Sequence, residues 1–280
     1  MLLAAYPHLD IQFNIIKTKG DKNLEKPLHE IGGKAIFITE LEDALEDHHI
    51  DLAVHSLKDL PSTLPDGLIY TGSPRREDVR DVFVSTKWKT IEEVPEGGTI
   101  ATGSNRRKAQ LLQQHPDLNI EGLRGNIGTR LRKLDESNWD GIITAAAALH
   151  RLGLQERISQ YLDPDYFVPA GGQGALGLEI SEDSDDVKSM LSTIIDKYTT
   201  RCCQAERIYL VRMEGGCSDP IGCWARIERD ALIITGYSAS IDGSQILQKT
   251  VQGDIIEAEK LAIKLADAMI QNGARELMAT

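Results

Sequence analysis

Apolar positions along this chain follow two rhythms. Residues 11–16 (IQFNII), 51–55 (DLAVH), 81–85 (DVFVS), 99–102 (TIAT), 118–123 (LNIEGL), 141–145 (GIITA) and 175–180 (ALGLEI) are short apolar runs between turn residues, as buried strands are. Between them, apolar residues recur three and four apart, as on one face of a helix. This predicts helices over 34–47, with Phe37, Leu41, Ala44 and Leu45 on one face, and over 104–114, 184–196 and 199–212. The helix at 104–114 must end before Pro116, because a residue preceding proline is driven out of helical geometry. Strands alternating with helices predict an α/β fold. After residue 215 the rhythm changes. WARIE (224–228), ALIITGYSAS (231–240) and ILQKTVQG (246–253) follow one another with tight turns, including Asp242-Gly243. They predict a three-stranded antiparallel sheet, closed by a helix over 254–272. The expected plan is two α/β domains and a smaller α+β domain. Residues 1–74 with 175–196 form the first, 80–168 the second and 197–280 the third.

Composition narrows the function. The chain has 280 residues, 41% hydrophobic and 26% charged, ordinary for a globular protein of more than one domain. No apolar run approaches the roughly 18 residues of a membrane helix, and Met1–Ala5 is too short for a secretory signal. Of four cysteines, Cys202 and Cys203 are neighbours and Cys217 lies six residues before Cys223. That spacing fits neither a disulfide framework nor a zinc site, so a reduced cytoplasmic setting and no metal are expected. A net charge of −12 excludes nucleic acid and anionic membranes as partners. Residues 101–133 nevertheless hold seven Lys or Arg against Asp117 and Glu121. A basic patch in an acidic protein suits a small anion.

Chemistry-bearing residues gather where strands end, the edge at which open α/β sheets bind ligands. Ser56, Lys58 and Asp59 follow the 51–55 strand; on an extended backbone Lys58 and Asp59 would point apart. Thr102 and Ser104 follow the 99–102 strand at a helix start, where backbone N–H groups favour anions. Arg106 and Arg107 stand in that helix's first turn. There they oppose the helix dipole by up to about 1 kcal/mol, which calls for an anion beside them. Arg124, Gly125, Asn126 and Arg130 follow the 118–123 strand, and Arg151 follows the 141–145 strand. Arginine grips carboxylates through paired hydrogen bonds, so the pattern fits a polycarboxylate. Gly172, Gly174 and Gly177 around Gln173 form a G-x-G-x-x-G string, but it runs into a strand rather than a helix. That excludes a dinucleotide loop and suggests a hinge or close strand crossing. Cys217 lies in the glycine-rich loop EGGCSDPIG (214–222) with no histidine beside it.

Together, GGKAIFITELEDAL, DLAVHSLKDLP, REDVRDVFVS, the GSNRR stretch, LRGNIGTRL, PAGGQGALG and EGGCSDPIG resemble porphobilinogen deaminase, in that family's order and spacing. The resemblance implies two α/β domains like those of periplasmic binding proteins, followed by a third domain. It implies a dipyrromethane cofactor held by Cys217 through a thioether, a catalytic Asp59, and cofactor or substrate contacts from Ser56, Lys58, Thr102, Ser104, Gly125, Asn126 and Gln173. Arg106, Arg107, Arg124, Arg130 and Arg151 match the family's carboxylate-binding arginines. The implied reaction joins four porphobilinogen molecules into hydroxymethylbilane with loss of ammonia. A monomer is implied, its product passing to a uroporphyrinogen-forming enzyme. Two departures stand out. The family pattern begins with a strand and an Arg-x-Ser loop that precede this sequence's start, which implies a start recorded too late or a fragment whose first sheet lacks a strand. Asn105 stands where an apolar residue is common. The competing readings are a non-catalytic bilobed receptor for a small polycarboxylate and an inactive, truncated deaminase. Cys217 separates receptor from enzyme.

Overall fold

The structure is a computed structural model that describes residues 1–16, 38–216 and 218–279. A short helix α1 (Leu2–Ala5) opens the chain, and α2 (Thr39–Glu46) leads into strand β1 (Ala53–Ser56), a 3-10 turn (Leu57–Asp59) and β2 (Leu68–Gly72). Next come β3 (Asp81–Val84), β4 (Thr99–Ala101), α3 (Asn105–Gln114), β5 (Asn119–Glu121), α4 (Ile127–Glu136), β6 (Gly141–Ala145), α5 (Ala146–Arg151) and β7 (Gln160–Tyr161). The chain continues through β8 (Leu176–Ser181), α6 (Asp185–Ser192) and α7 (Lys197–Met213). It ends with β9 (Ile221–Glu228), β10 (Ala231–Ala239), β11 (Ile246–Asp254), α8 (Ala258–Ile270) and α9 (Ala274–Met278).

These strands form three sheets, in the orders β1-β8-β2, β5-β4-β6-β3-β7 and β11-β10-β9. In the second, β3 and β6 are buried at every position, which explains their unbroken apolar runs. β4 runs parallel to both β5 and β6, so the carboxyl ends of these three strands share one edge, and each feeds a helix there. The third sheet is an antiparallel meander, and α7 buries Cys202, Ala205, Tyr209 and Met213 between it and α8. The α/β class and the C-terminal three-stranded sheet are as expected. Among the described residues, no helix is long and apolar enough to cross a membrane.

Several local expectations change. Residues 11–16 form no strand, and Phe13 and Ile15 are almost fully exposed. An apolar run becomes a strand only where a neighbouring strand completes its hydrogen bonds, and among the described residues none pairs with this one. The helix expected to reach 196 stops at Ser192, and the last long helix begins at Ala258 after a 3-10 turn over Ile255–Glu257. β2 and β7 appear without an expectation, recruited by pairing with β8 and β3. Residues 34–37 of the first expected helix lie outside the described residues.

Candidate active site

Lys58 and Asp59 occupy the single 3-10 turn after β1, not an extended backbone. The cause lies in the distant glycine string. Gly172 has φ +77°, and a Cβ there would approach the Leu57 carbonyl carbon and the Lys58 nitrogen to 3.1 Å. The loop therefore packs directly on the turn's backbone, the close crossing that the sequence suggested. Beside Gly172, fully buried Gln173 accepts a 3.3 Å hydrogen bond from Lys58 Nζ through Oε1. Its Nε2 donates to the Val79 carbonyl at 2.8 Å and to Asp81 Oδ1 at 3.0 Å. Burial, then the charge of Arg107, pushes the Lys58 pKa down to about 8, against the pull of Asp59 and Asp81. Ser56 and Asp59 are exposed.

At the N-terminus of α3, Ser104 caps the helix, its Oγ accepting from the Arg107 amide at 3.4 Å, and buried Thr102 Oγ1 accepts from the Ser104 amide at 3.3 Å. The paired arginines differ from the expectation. Arg106 and Arg107 are buried, and the anion that joins them is the chain's own Asp81. Arg106 Nη1 donates to Asp81 Oδ2 and Arg107 Nη2 to Oδ1, both at 2.7 Å, and Arg106 also donates to the Val168 carbonyl at 2.6 Å. A buried guanidinium needs a fixed counter-charge, and Asp81 supplies it from 25 residues upstream of Arg106. Burial would raise the Asp81 pKa, but the two arginines outweigh it and hold the carboxyl well below its ordinary range.

Asn126 caps α4 by accepting from the Thr129 amide at 2.9 Å, and Gly125, at φ +111°, would clash with Thr129 if it carried a Cβ. Arg130 Nε donates to the Gly125 carbonyl at 2.7 Å. Burial, then the neighbouring charges of Arg107 and Arg124, pushes its pKa down to about 10, partly offset by Asp59. Arg124 is half-buried beside it. Arg151 stands apart, its Nη2 held by the Gly174 carbonyl at 2.8 Å and its pKa lowered by burial, against the pull of Glu77.

One cleft of about 340 Å³ is lined by Lys58, Asp59, Ser104 and Arg106 from one side and by Gly215, Gly216 and Asp219 from the loop after α7. Cys217 itself lies outside the described residues; both of its chain neighbours are described. Cations gather beside the cleft. Arg106 and Arg107 act on Lys58, and Arg107 and Arg124 on Arg130, against the carboxylates of Asp59 and Asp81, while the cleft lining itself sets Lys58, Arg106 and Arg207 against Asp59, Glu214 and Asp219. The gathered cations fit a bound group rich in carboxylates, as dipyrromethane is. The other three cysteines are buried and free. Burial pushes the thiols of Cys202 and Cys203 up to about 12 and holds that of Cys223 well above its ordinary value, which leaves them unreactive.

Two functional neighbours escape a reading from sequence alone. Asp81 opens an otherwise apolar, buried strand, and an acidic residue in such a place was the available signal. Glu206 sits on the apolar stripe of α7. It accepts from Arg76 Nη1 at 2.7 Å and Nη2 at 3.0 Å, from the Gly172 amide at 2.6 Å and from the Ala225 amide at 2.7 Å. A charged residue on a buried stripe was again the signal.

A solved nutrient-binding protein from Burkholderia cenocepacia bound to methionine overlaps 55% of this chain and 74% of its own at 15% identity, with a TM-score of 0.38, too slight to bear on fold or function. Relatives named porphobilinogen deaminase are far closer. That of Syntrophotalea carbinolica is 44% identical over 98% of this chain and 87% of its own length, and that of Chromobacterium violaceum 45% over 99% and 90%. The family model described as "Porphobilinogen deaminase, dipyromethane cofactor binding domain" matches residues 1–189. Its C-terminal domain counterpart matches residues 200–271, so that between them the two models cover most of the sequence, and the chain belongs to the porphobilinogen deaminase family.

Proposed function

We propose that this chain joins four porphobilinogen molecules head to tail, releasing ammonia and hydroxymethylbilane, on a dipyrromethane primer attached to Cys217. The observation that carries this reading is the cleft. It gathers Lys58, Asp59 and Arg106 beside the loop that holds Cys217, within the field of Arg107. When bound, dipyrromethane supplies the pyrrole carbon to which the first substrate is joined.

The chain's own residues then have distinct tasks. Every substrate ring carries two carboxylates, and Lys58 answers them at the cleft, with Arg124, Arg130 and Arg151 at the neighbouring strand ends. Ser56, Thr102, Ser104, Gly125 and Asn126 shape the turns that hold these cations in place, and Gln173 orients Lys58. Arg106 and Arg107, already joined to Asp81, contribute field more than direct grip. As ammonia leaves, the substrate's aminomethyl C–N bond breaks towards nitrogen and positive charge spreads over its ring. Asp59 stabilises that charge until the new C–C bond forms at the substrate's methylene carbon and the attacking ring carbon loses its proton.

Two measurements test this. Intact protein should weigh two linked pyrrole units more than its sequence, and Cys217→Ser should remove the excess; equal masses would overturn the attachment. Lys58 is protonated below about pH 8 and loses its carboxylate-binding charge above it. Accordingly kcat/KM, which reports the free enzyme, should fall as pH rises through 8, and Lys58→Arg should move that fall to higher pH. An unchanged alkaline limb in Lys58→Arg would remove Lys58 from substrate binding. The reading includes a cytoplasmic monomer that hands its product to a uroporphyrinogen-forming enzyme. Free, buried thiols at Cys202, Cys203 and Cys223 support the reducing compartment.

A further inference from the structure

The loop around Cys217 is tied at both of its described flanks. On the N-terminal side, the Gly216 amide donates to Asp219 Oδ2 at 2.5 Å, and the Asp219 amide returns a bond to the Gly216 carbonyl at 3.2 Å. These two bonds join Gly216 to Asp219. On the C-terminal side, Asn105 Nδ2 donates to the Ser218 carbonyl at 2.8 Å. Asn105 is the first residue of α3 and adjoins Arg106, which lines the cleft. An apolar side chain at position 105 could not make this bond.

We infer that Asn105 and Asp219 are positioning residues for cofactor attachment. Through the backbone of Gly216, Ser218 and Asp219 they hold the residues flanking Cys217 beside the N-terminus of α3, at the cleft where attachment would occur. Both act through the loop backbone. The inference rests on the attachment reading above. Holding a loop ready lowers the ordering cost of the attachment step, so loss of the clamp slows loading.

The test uses full-length, cofactor-free protein from a host unable to make porphobilinogen, mixed with porphobilinogen and followed by intact mass. Asn105→Leu and Asp219→Ala should each gain the two-pyrrole mass about three- to tenfold more slowly than wild type, the range one hydrogen bond allows. Asp219→Asn, which keeps an acceptor for the Gly216 amide, should restore most of the rate. Iodoacetamide should alkylate Cys217 with altered kinetics in the two slow variants, while their circular dichroism stays native. A purely structural role for Asp219 would not be rescued by Asn. If wild type loads and both variants match its rate, the inference falls alone. If wild type gains no mass, the attachment reading falls and takes this inference with it.

Discussion

Replacing Asp59 with Asn should lower turnover by about a thousandfold while leaving the dipyrromethane attached. Asn keeps the shape and one acceptor oxygen but removes the charge. A carboxylate about 4 Å from a developing cation, at an effective dielectric near 20, contributes about 4 kcal/mol. Realised only in the transition state, that is roughly a thousandfold in rate. Asp59 is exposed on its turn and no salt bridge is found for it among the described residues, so the melting temperature should hardly move. Steady-state rate, intact mass and thermal unfolding separate these effects. Normal turnover in the variant would end the assignment of Asp59 as the catalytic carboxylate.

The largest stability effect should come from Asp81→Ala. The substitution leaves Arg106 and Arg107, both almost fully buried, without their shared counter-charge, and also takes an acceptor from Gln173. Breaking a buried ion pair from one side costs about 3–5 kcal/mol, a large part of a typical folding free energy. The melting temperature at pH 7 should fall on the order of 10 °C. The sign with pH follows from the depressed folded-state pKa. The stabilisation is complete above the unfolded carboxyl's value near 4 and is lost as pH falls below it. The gap between wild type and variant should therefore narrow in acid. A gap that is small at pH 7, or that widens in acid, would show that the arginines find other support.

How much of this was legible in the sequence depends on whether a feature is local. β3, β4 and β6 and the helix that follows β4 were readable, because their burial is written in uninterrupted apolar runs and a proline stop. β2 and β7 were not, since their partners in the sheets are distant in sequence. Residues 11–16 carried the right composition for a strand, yet composition supplies no neighbour. The first-turn arginines of α3 announced the need for an anion, but not that Asp81 would meet it. Likewise the sequence placed Lys58 and Asp59 near a strand end, while their 3-10 turn follows from packing against Gly172, more than a hundred residues away.

Glu206 has a mechanical consequence. The chain passes between the first two sheets twice, through residues 73–80 and 169–175. α7 grips both crossings. Thr200 Oγ1 accepts from the Ser73 amide at 3.0 Å, Thr199 Oγ1 from the Arg76 amide at 3.1 Å, and Glu206 holds Arg76 and the Gly172 amide together. The two straps on which the lobes would swing are thus pinned to one rod. A change in the angle between the lobes loads that rod, and its far end carries the loop of Cys217. On the proposed reading, any opening between the two sheets as the product lengthens would reach the anchored primer through α7.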